Sequence, residues 1–244
     1  WITQRTSLKE VKNVYHEQLE DDVFRITVEL KHNQHWGYSI YYAGKRLVIK
    51  IKRQPADPDI KKMKIAVDAG HGGSNTGAIG ILSKIQEKKY TLLIAKELEK
   101  ELNENGAAVY MTRDKDTGLG MLERVKKKKK ADPDFLISIH LNSSARDSIR
   151  GVSTYYRYIG FRPLTKYIQE SMLELGLVDF GNIGSFNFAL NGPTDYPNCL
   201  VEVAFLSNKE DEILILNPDF HKAVAKQILK GIKEWLKSCK KDDD

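Results

Sequence analysis

The stretch DAGHGGSNTGAIG, residues 68 to 80, follows directly on the short apolar run Ile65-Ala66-Val67. It places one histidine and five glycines in thirteen residues, at the point where a buried strand must end. Glycine lets the backbone adopt φ > 0 and approach another group closely, which a bulky residue does not allow. An imidazole delivered in such a setting is either an incidental loop residue or one part of a ligand site completed elsewhere in the chain. The strand that carries it also sets the fold class, because the pattern beyond it alternates strand and helix.

From Met63 onward that alternation is regular. Ile65–Val67 reads as a buried strand, and residues 90–105 as an amphipathic helix with Thr91 as its cap and Gly106 as its stop. Residues 108–112 form the next strand, Met121–Lys130 a helix, and Phe135-Leu136-Ile137-Ser138-Ile139 another buried strand. Residues 152–156, 186–190 and 200–204 read as strands, 163–175 and 220–236 as helices. Alternation of this kind predicts an α/β fold with a mixed, mainly parallel sheet flanked by helices.

The first 60 residues follow another rule. Residues 23–30 alternate apolar and polar with period two, and residues 38–42 and 47–51 form two more short strands around Ala43-Gly44-Lys45. Gln54-Pro55-Ala56-Asp57-Pro58-Asp59 reads as a linker, since its prolines break both helix and ladder. The chain is therefore divided into a β-rich accessory segment with linker (1–60), an α/β domain (61–239) and a short tail (240–244).

Bulk properties exclude several classes. The 244 residues include 41% hydrophobic and 30% charged side chains, the balance of a globular protein rather than a disordered or fibrous one. No apolar run approaches the roughly 18 residues of a membrane span. The chain opens on Trp1 and is read as a processed or truncated form, from which a signal peptide would be missing. The net charge of +6 suits an anionic partner. The basic run Lys126–Lys130 has no interleaved aromatics and reads as a solvated helix end, so nucleic acid is not expected as a partner. Cys199 and Cys239 make neither a disulfide framework nor a zinc knuckle.

Six histidines remain to be sorted. His16, His32, His35 and His221 have no partner at ligand spacing and are read as surface residues. His71 and His140 each follow a short apolar strand. In a parallel α/β sheet the carboxyl ends of strands converge on one edge, where sites are built. A lone strand-end histidine is more often a hydrogen-bonded loop residue, but a pair, one of them set among glycines, favours a shared cation. A catalytic zinc takes about three protein ligands and keeps a position for water. Glu87, just ahead of the helix expected from Tyr90, is the natural third ligand, although spacing alone leaves it level with a solvated charge. Glu202 lies inside the apolar run Leu200-Val201-Glu202-Val203-Ala204-Phe205. An unpaired buried charge costs several kcal/mol, so this carboxylate is either paired or catalytic, and the nearby ligand-like histidines favour the second.

The segments DAGHGGSNTGAIG, QEKKYTLLIAKELEKEL, MTRDKD, LERV, ADPDFLISIHLNSS and PNCLVEVAFLSNKEDE occur in the order and spacing of a known family. The chain, from about Lys64 to Trp235, resembles the zinc-dependent N-acetylmuramoyl-L-alanine amidases of the amidase-3 type, which are cell-wall hydrolases. The resemblance implies a six-stranded sheet flanked by helices, zinc held by His71, Glu87 and His140, and Glu202 as catalytic acid/base. It also implies hydrolysis of the amide between the lactyl group of N-acetylmuramic acid and the L-alanine of the peptidoglycan stem peptide. The expected setting is the bacterial cell envelope, periplasmic or secreted, with the protein acting as a monomer. Two alternatives stay open: a zinc amidohydrolase or carboxypeptidase acting on soluble muropeptides, and a wall-binding module without catalysis.

One departure from the family pattern falls at Asn75, where an aspartate is frequent. Only about 60 residues separate His140 from Glu202, which leaves little chain for the occluding helix that some members carry there. An open site is expected, with residues 182–195 lining the substrate groove.

Overall fold

The computed structural model describes residues 8–120, 123–124 and 131–240. Two antiparallel hairpins come first, β1 (Val11–Glu20) with β2 (Val23–Leu30) and β3 (Tyr38–Ala43) with β4 (Arg46–Ile51). The main sheet follows, made of β5 (Lys64–Ala69), β6 (Ala108–Met111), β7 (Phe135–Asn142), β8 (Val152–Tyr155), β9 (Asp179–Ile183) and β10 (Asn198–Phe205). Its order is β6-β5-β7-β10-β8-β9, and neighbours run parallel except β8 against β10. The expected mixed, mainly parallel six-stranded sheet is thus present.

Helices α1 (Glu87–Glu104), α2 (Arg162–Leu173) and α4 (Pro218–Cys239) cover one face, with α4 packed between the other two. The short α3 (Lys209–Leu216) follows β10 directly. Strand residues divide between the faces by the period of two. Ile65, Val67 and Ala69, Phe135, Ile137 and Ile139, and Cys199, Val201 and Val203 join the helical core. Asp68, Ser138, His140 and Glu202 consequently project from the opposite face, with Asp68 level with Ser138 and Glu202 level with His140. On that face Ala66 and Leu136 pack against Leu190 and Tyr196. The chain leaves β5 through α1 to β6 on one side, then returns to β7 on the other. The carboxyl ends of β5 and β7 therefore flank a topological switch point, where open α/β sheets form their ligand crevices.

Several local expectations need correction. The helix expected from Tyr90 begins at Glu87, and its cap residue Gln86 makes no side-chain cap bond. Thr91 is buried within the helix and donates instead to the Gly70 and Lys88 carbonyls. No strand occupies residues 186–190; the edge strand is β9, at Asp179–Ile183. The final helix is preceded by α3, which Asn208 caps by accepting from the Glu210 and Asp211 amides. The N-terminal strand β1 completes a hairpin with residues 23–30. The helix expected over Met121–Lys130, with its lysine run, lies outside the described residues, apart from Glu123 and Arg124, which are helical.

Two of the histidines read as surface residues are packed into the fold, His221 buried and His35 half-buried. His221 is buried, with Nε2 2.6 Å from the Ile215 carbonyl. His35 packs against Phe161 and Tyr38, and burial lowers its pKa. Beside it Trp36 is fully buried, 5.0 Å from Trp235 and 6.3 Å from Phe135 between ring centroids. The proline-containing stretch 54–59 also packs on the helical layer. Gln54 donates to the Cys239 carbonyl, and Asp57 pairs with Lys62 and Lys240.

Candidate metal centre

Each side chain of the centre comes from a different element. His71 stands two residues beyond β5, His140 lies within β7 near its carboxyl end, and Glu87 is the first residue of α1. The approach is close enough to require glycine. A Cβ at Gly70 would lie 2.4 Å from the His140 ring, and one at Gly77 would lie 2.4 Å from Glu87 Oε2 and 2.7 Å from the His71 ring. His71 itself has φ 62°, uncommon for a residue with a Cβ, and its carbonyl accepts from Arg124.

Glu87 is the hub. Its Oε1 lies 3.1 Å from His71 Nε2, 3.0 Å from His140 Nδ1 and 3.0 Å from the Leu141 amide. Its Oε2 accepts from the Ala78 amide at 2.8 Å. Burial works against the charge, but the hydrogen bonds from His140 and His71 outweigh it and take the pKa to about 2. Burial likewise opposes a charged His140, yet the hydrogen bond to Glu87 and the charge of Glu202 leave its pKa raised. His71, Glu87 and His140 each offer one ligand atom, a ring nitrogen or a carboxylate oxygen, and these three atoms all lie within 4.8 Å of one another.

Glu202 sits beside His140 across the parallel β7–β10 pair. It is 8% exposed, and its Oε2 is buried without a hydrogen-bond partner among the described residues. Burial raises its pKa to about 7. His71, Glu87, His140 and Glu202 line one cavity of about 360 Å³, whose wall includes Phe188, Ala189 and Leu190 from the segment expected to form the groove. A second cavity of about 500 Å³ adjoins the other side of His71 and His140, against Gly118 and Arg124. The His71 and His140 side chains remain 24% and 18% exposed, and α2 packs in the helical layer rather than over them.

Behind the centre lies a network that sequence reading missed. Asp68 is fully buried and accepts from Thr112 Oγ1 at 2.6 Å, Ser138 Oγ at 2.8 Å and Arg124 Nη1 at 2.8 Å. Arg124 also donates to the Ala69 carbonyl at 2.9 Å. Arg113 holds the Ala69 and Gly70 carbonyls, each at 2.9 Å, and the Lys88 carbonyl at 2.6 Å. Together the two guanidinium groups fix the backbone that presents His71. One signal was available: Asp68 is a carboxylate at the end of an apolar strand, as Glu202 is one inside such a strand. Asp68→Ala leaves Arg124 buried without its counter-charge, which is expected to cost ~3–5 kcal/mol. Urea denaturation checks this, and a loss below 1 kcal/mol (~5-fold in the folding constant) would show the pair to be dispensable.

A family model described as N-acetylmuramoyl-L-alanine amidase matches residues 65–234. The chain belongs to the amidase-3 family. It is 34% identical over 191 residues to the Staphylococcus epidermidis protein named "Probable cell wall amidase LytH", a match covering 75% of this chain and 64% of that one. The chain thus spans a little under two thirds of that relative's length. The germination-specific N-acetylmuramoyl-L-alanine amidase of Bacillus subtilis is 33% identical, covering 70% of this chain and 79% of its own. Among solved structures, the catalytic domain of the amidase CwlV from Bacillus (Paenibacillus) polymyxa var. colistinus superposes with a TM-score of 0.68 at 33% identity, covering 72% of this chain and 98% of that one. An N-acetylmuramoyl-L-alanine amidase from Clostridium difficile gives 0.69 at 28%, covering 72% and 97%.

The donor set fits the metal that sequence reading expects. Two imidazole nitrogens and one carboxylate oxygen are a known ligand combination for catalytic zinc. They converge from three separate elements, and Glu202, whose Oε2 is buried without a partner among the described residues, lines the same cavity.

Proposed function

We propose that this chain is a zinc-dependent N-acetylmuramoyl-L-alanine amidase, with residues 61–239 as its catalytic unit and residues 1–60 as an accessory segment. It hydrolyses the amide between the lactyl group of N-acetylmuramic acid and L-alanine in the peptidoglycan of the bacterial cell envelope. The observation that carries this reading is the convergence of His71, Glu87 and His140 beside a buried carboxylate in one cavity.

His71, Glu87 and His140 hold the zinc. When bound, zinc polarises the scissile carbonyl and lowers the pKa of water. Glu202 accepts a proton from the attacking water as the new C–O bond forms. It then delivers that proton to the departing alanine nitrogen as the C–N bond breaks, leaving a carboxylic acid on the lactyl group and a free amine on the peptide. In the metal-free protein burial raises the Glu202 carboxyl to about 7, the range in which a group both takes and returns a proton at neutral pH. The apolar wall of Leu141, Phe188, Leu190 and Leu200 limits water around that proton path.

Digestion of purified peptidoglycan tests the reading. The expected result is the appearance of new amino-terminal alanine together with released stem peptides. Cleavage confined to soluble muropeptides would replace this substrate with the smaller one. Zinc-loaded protein that binds the wall yet liberates no amine would make it a binding module.

A further inference from the structure

Asn75 engages the ring nitrogen of His71 that Glu87 does not. Its backbone is pinned by two hydrogen bonds with Gly72, from the Gly72 amide to the Asn75 carbonyl at 2.9 Å and in return at 3.2 Å. Its Oδ1 lies 3.1 Å from the Gly77 amide and 2.9 Å from His71 Nδ1. The Gly77 N–H only donates, so the side-chain atom facing it is the acceptor oxygen and not the amide nitrogen. That same oxygen then requires a proton on His71 Nδ1. With that proton on Nδ1, Nε2 is the nitrogen left for a cation, which displaces the hydrogen bond that Nε2 makes to Glu87 Oε1 at 3.1 Å.

We infer that Asn75 is a positioning residue of the metal centre: it sets the tautomer and orientation of the His71 ring and thereby how tightly the trio holds zinc. This rests on the zinc reading given above. A histidine ligand is commonly held through its other nitrogen by a carbonyl or carboxylate, and loss of such a partner costs ~10–100-fold in metal affinity. The neutral amide polarises the imidazole less than a carboxylate would. Aspartate at this position keeps both hydrogen bonds and adds charge, so it strengthens Nε2 as a donor.

The test is the zinc dissociation constant of the wild type, Asn75→Ala and Asn75→Asp, measured by competition with a chromophoric chelator. The melting temperature of each metal-free protein is followed alongside. Asn75→Ala is expected to weaken zinc binding by ~10–100-fold. Asn75→Asp is expected to restore it to the wild-type value or better, by up to ~10-fold. Metal-free melting temperatures should agree, because the Asn75 side chain is exposed. Three equal affinities, with the wild type loaded, overturn the role of Asn75 and leave the zinc reading standing. An affinity loss in Asn75→Ala that aspartate does not rescue overturns it as well. A wild type that takes up no zinc overturns the zinc reading, and this inference falls with it.

Discussion

Glu202→Gln is expected to lower the rate of peptidoglycan hydrolysis by ~10²–10⁴-fold, the usual worth of a positioned general acid–base, while zinc stays near one per chain. Glutamine keeps the volume of the side chain in a strand whose every residue is buried, so packing is retained and only proton transfer is lost. Full activity in this variant would remove Glu202 from the mechanism. The same substitution has a second signature in the metal-free protein. The pKa of Glu202 is raised from 4.5 to about 7, chiefly by burial, so the folded state holds this proton more tightly than the unfolded chain. The contribution to stability is fully present below pH ~4.5 and is lost as pH rises to about 7. At ~1.4 kcal/mol per unit, the ionised carboxylate costs about 3 kcal/mol above pH 7. Metal-free Glu202→Gln should therefore be more stable than the wild type at pH 8, with the gain vanishing at pH 4. Equal melting curves at pH 8 would mean that the carboxylate is stabilised by a partner.

His140→Ala is expected to abolish both zinc retention and hydrolysis. Removing one of the three proposed ligands should cost more than the ~100-fold that loss of an outer partner costs, enough to empty the centre at micromolar zinc. The substitution also takes a hydrogen bond from Glu87, whose low pKa depends first on overcoming its own burial. That carboxylate is then less well compensated, and the metal-free fold should lose stability at neutral pH. Metal content by mass spectrometry, with circular dichroism as the check on folding, decides the outcome. His16→Ala, far from the centre in the hairpin β1, should keep its zinc. Stoichiometric zinc in a folded His140→Ala protein would remove His140 from the ligand set.

Much of the site was legible in the chain because the relevant signals are local. A histidine directly after a run of buried apolar residues must lie at a strand end. A carboxylate inside such a run needs a reason to be there, whatever the rest of the fold does. Those two statements isolate His71, His140 and Glu202. Glu87 was harder to place, because a charge ahead of a helix is ordinary on a surface. Only the position of α1 relative to β5 and β7 brings its oxygen within 3.1 Å of both histidines. The missed helix α3 had a local signal as well, since Asn208 followed by Glu210, Asp211 and Glu212 is a capped, acidic first turn.

The sequence by itself determined the alternation of strands and helices, the sheet edge at which the site is built and three of the four side chains proposed to do the chemistry. These follow from periods of two and 3.6 residues and from the cost of burying charge, which act over a few residues. The tertiary structure alone decided which buried charges compensate one another. Asp68 meets Arg124 and Arg113 meets the Gly70 carbonyl across 56 and 43 residues of chain. Trp36 likewise finds its place against Trp235 in the helical core. Such partners are chosen by how the layers close on one another, and no local pattern records that choice. The loop quoted at the outset shows both effects: its glycines announce a close approach, and only the folded sheet reveals that the approaching groups are the rings of His71 and His140 and the carboxylate of Glu87.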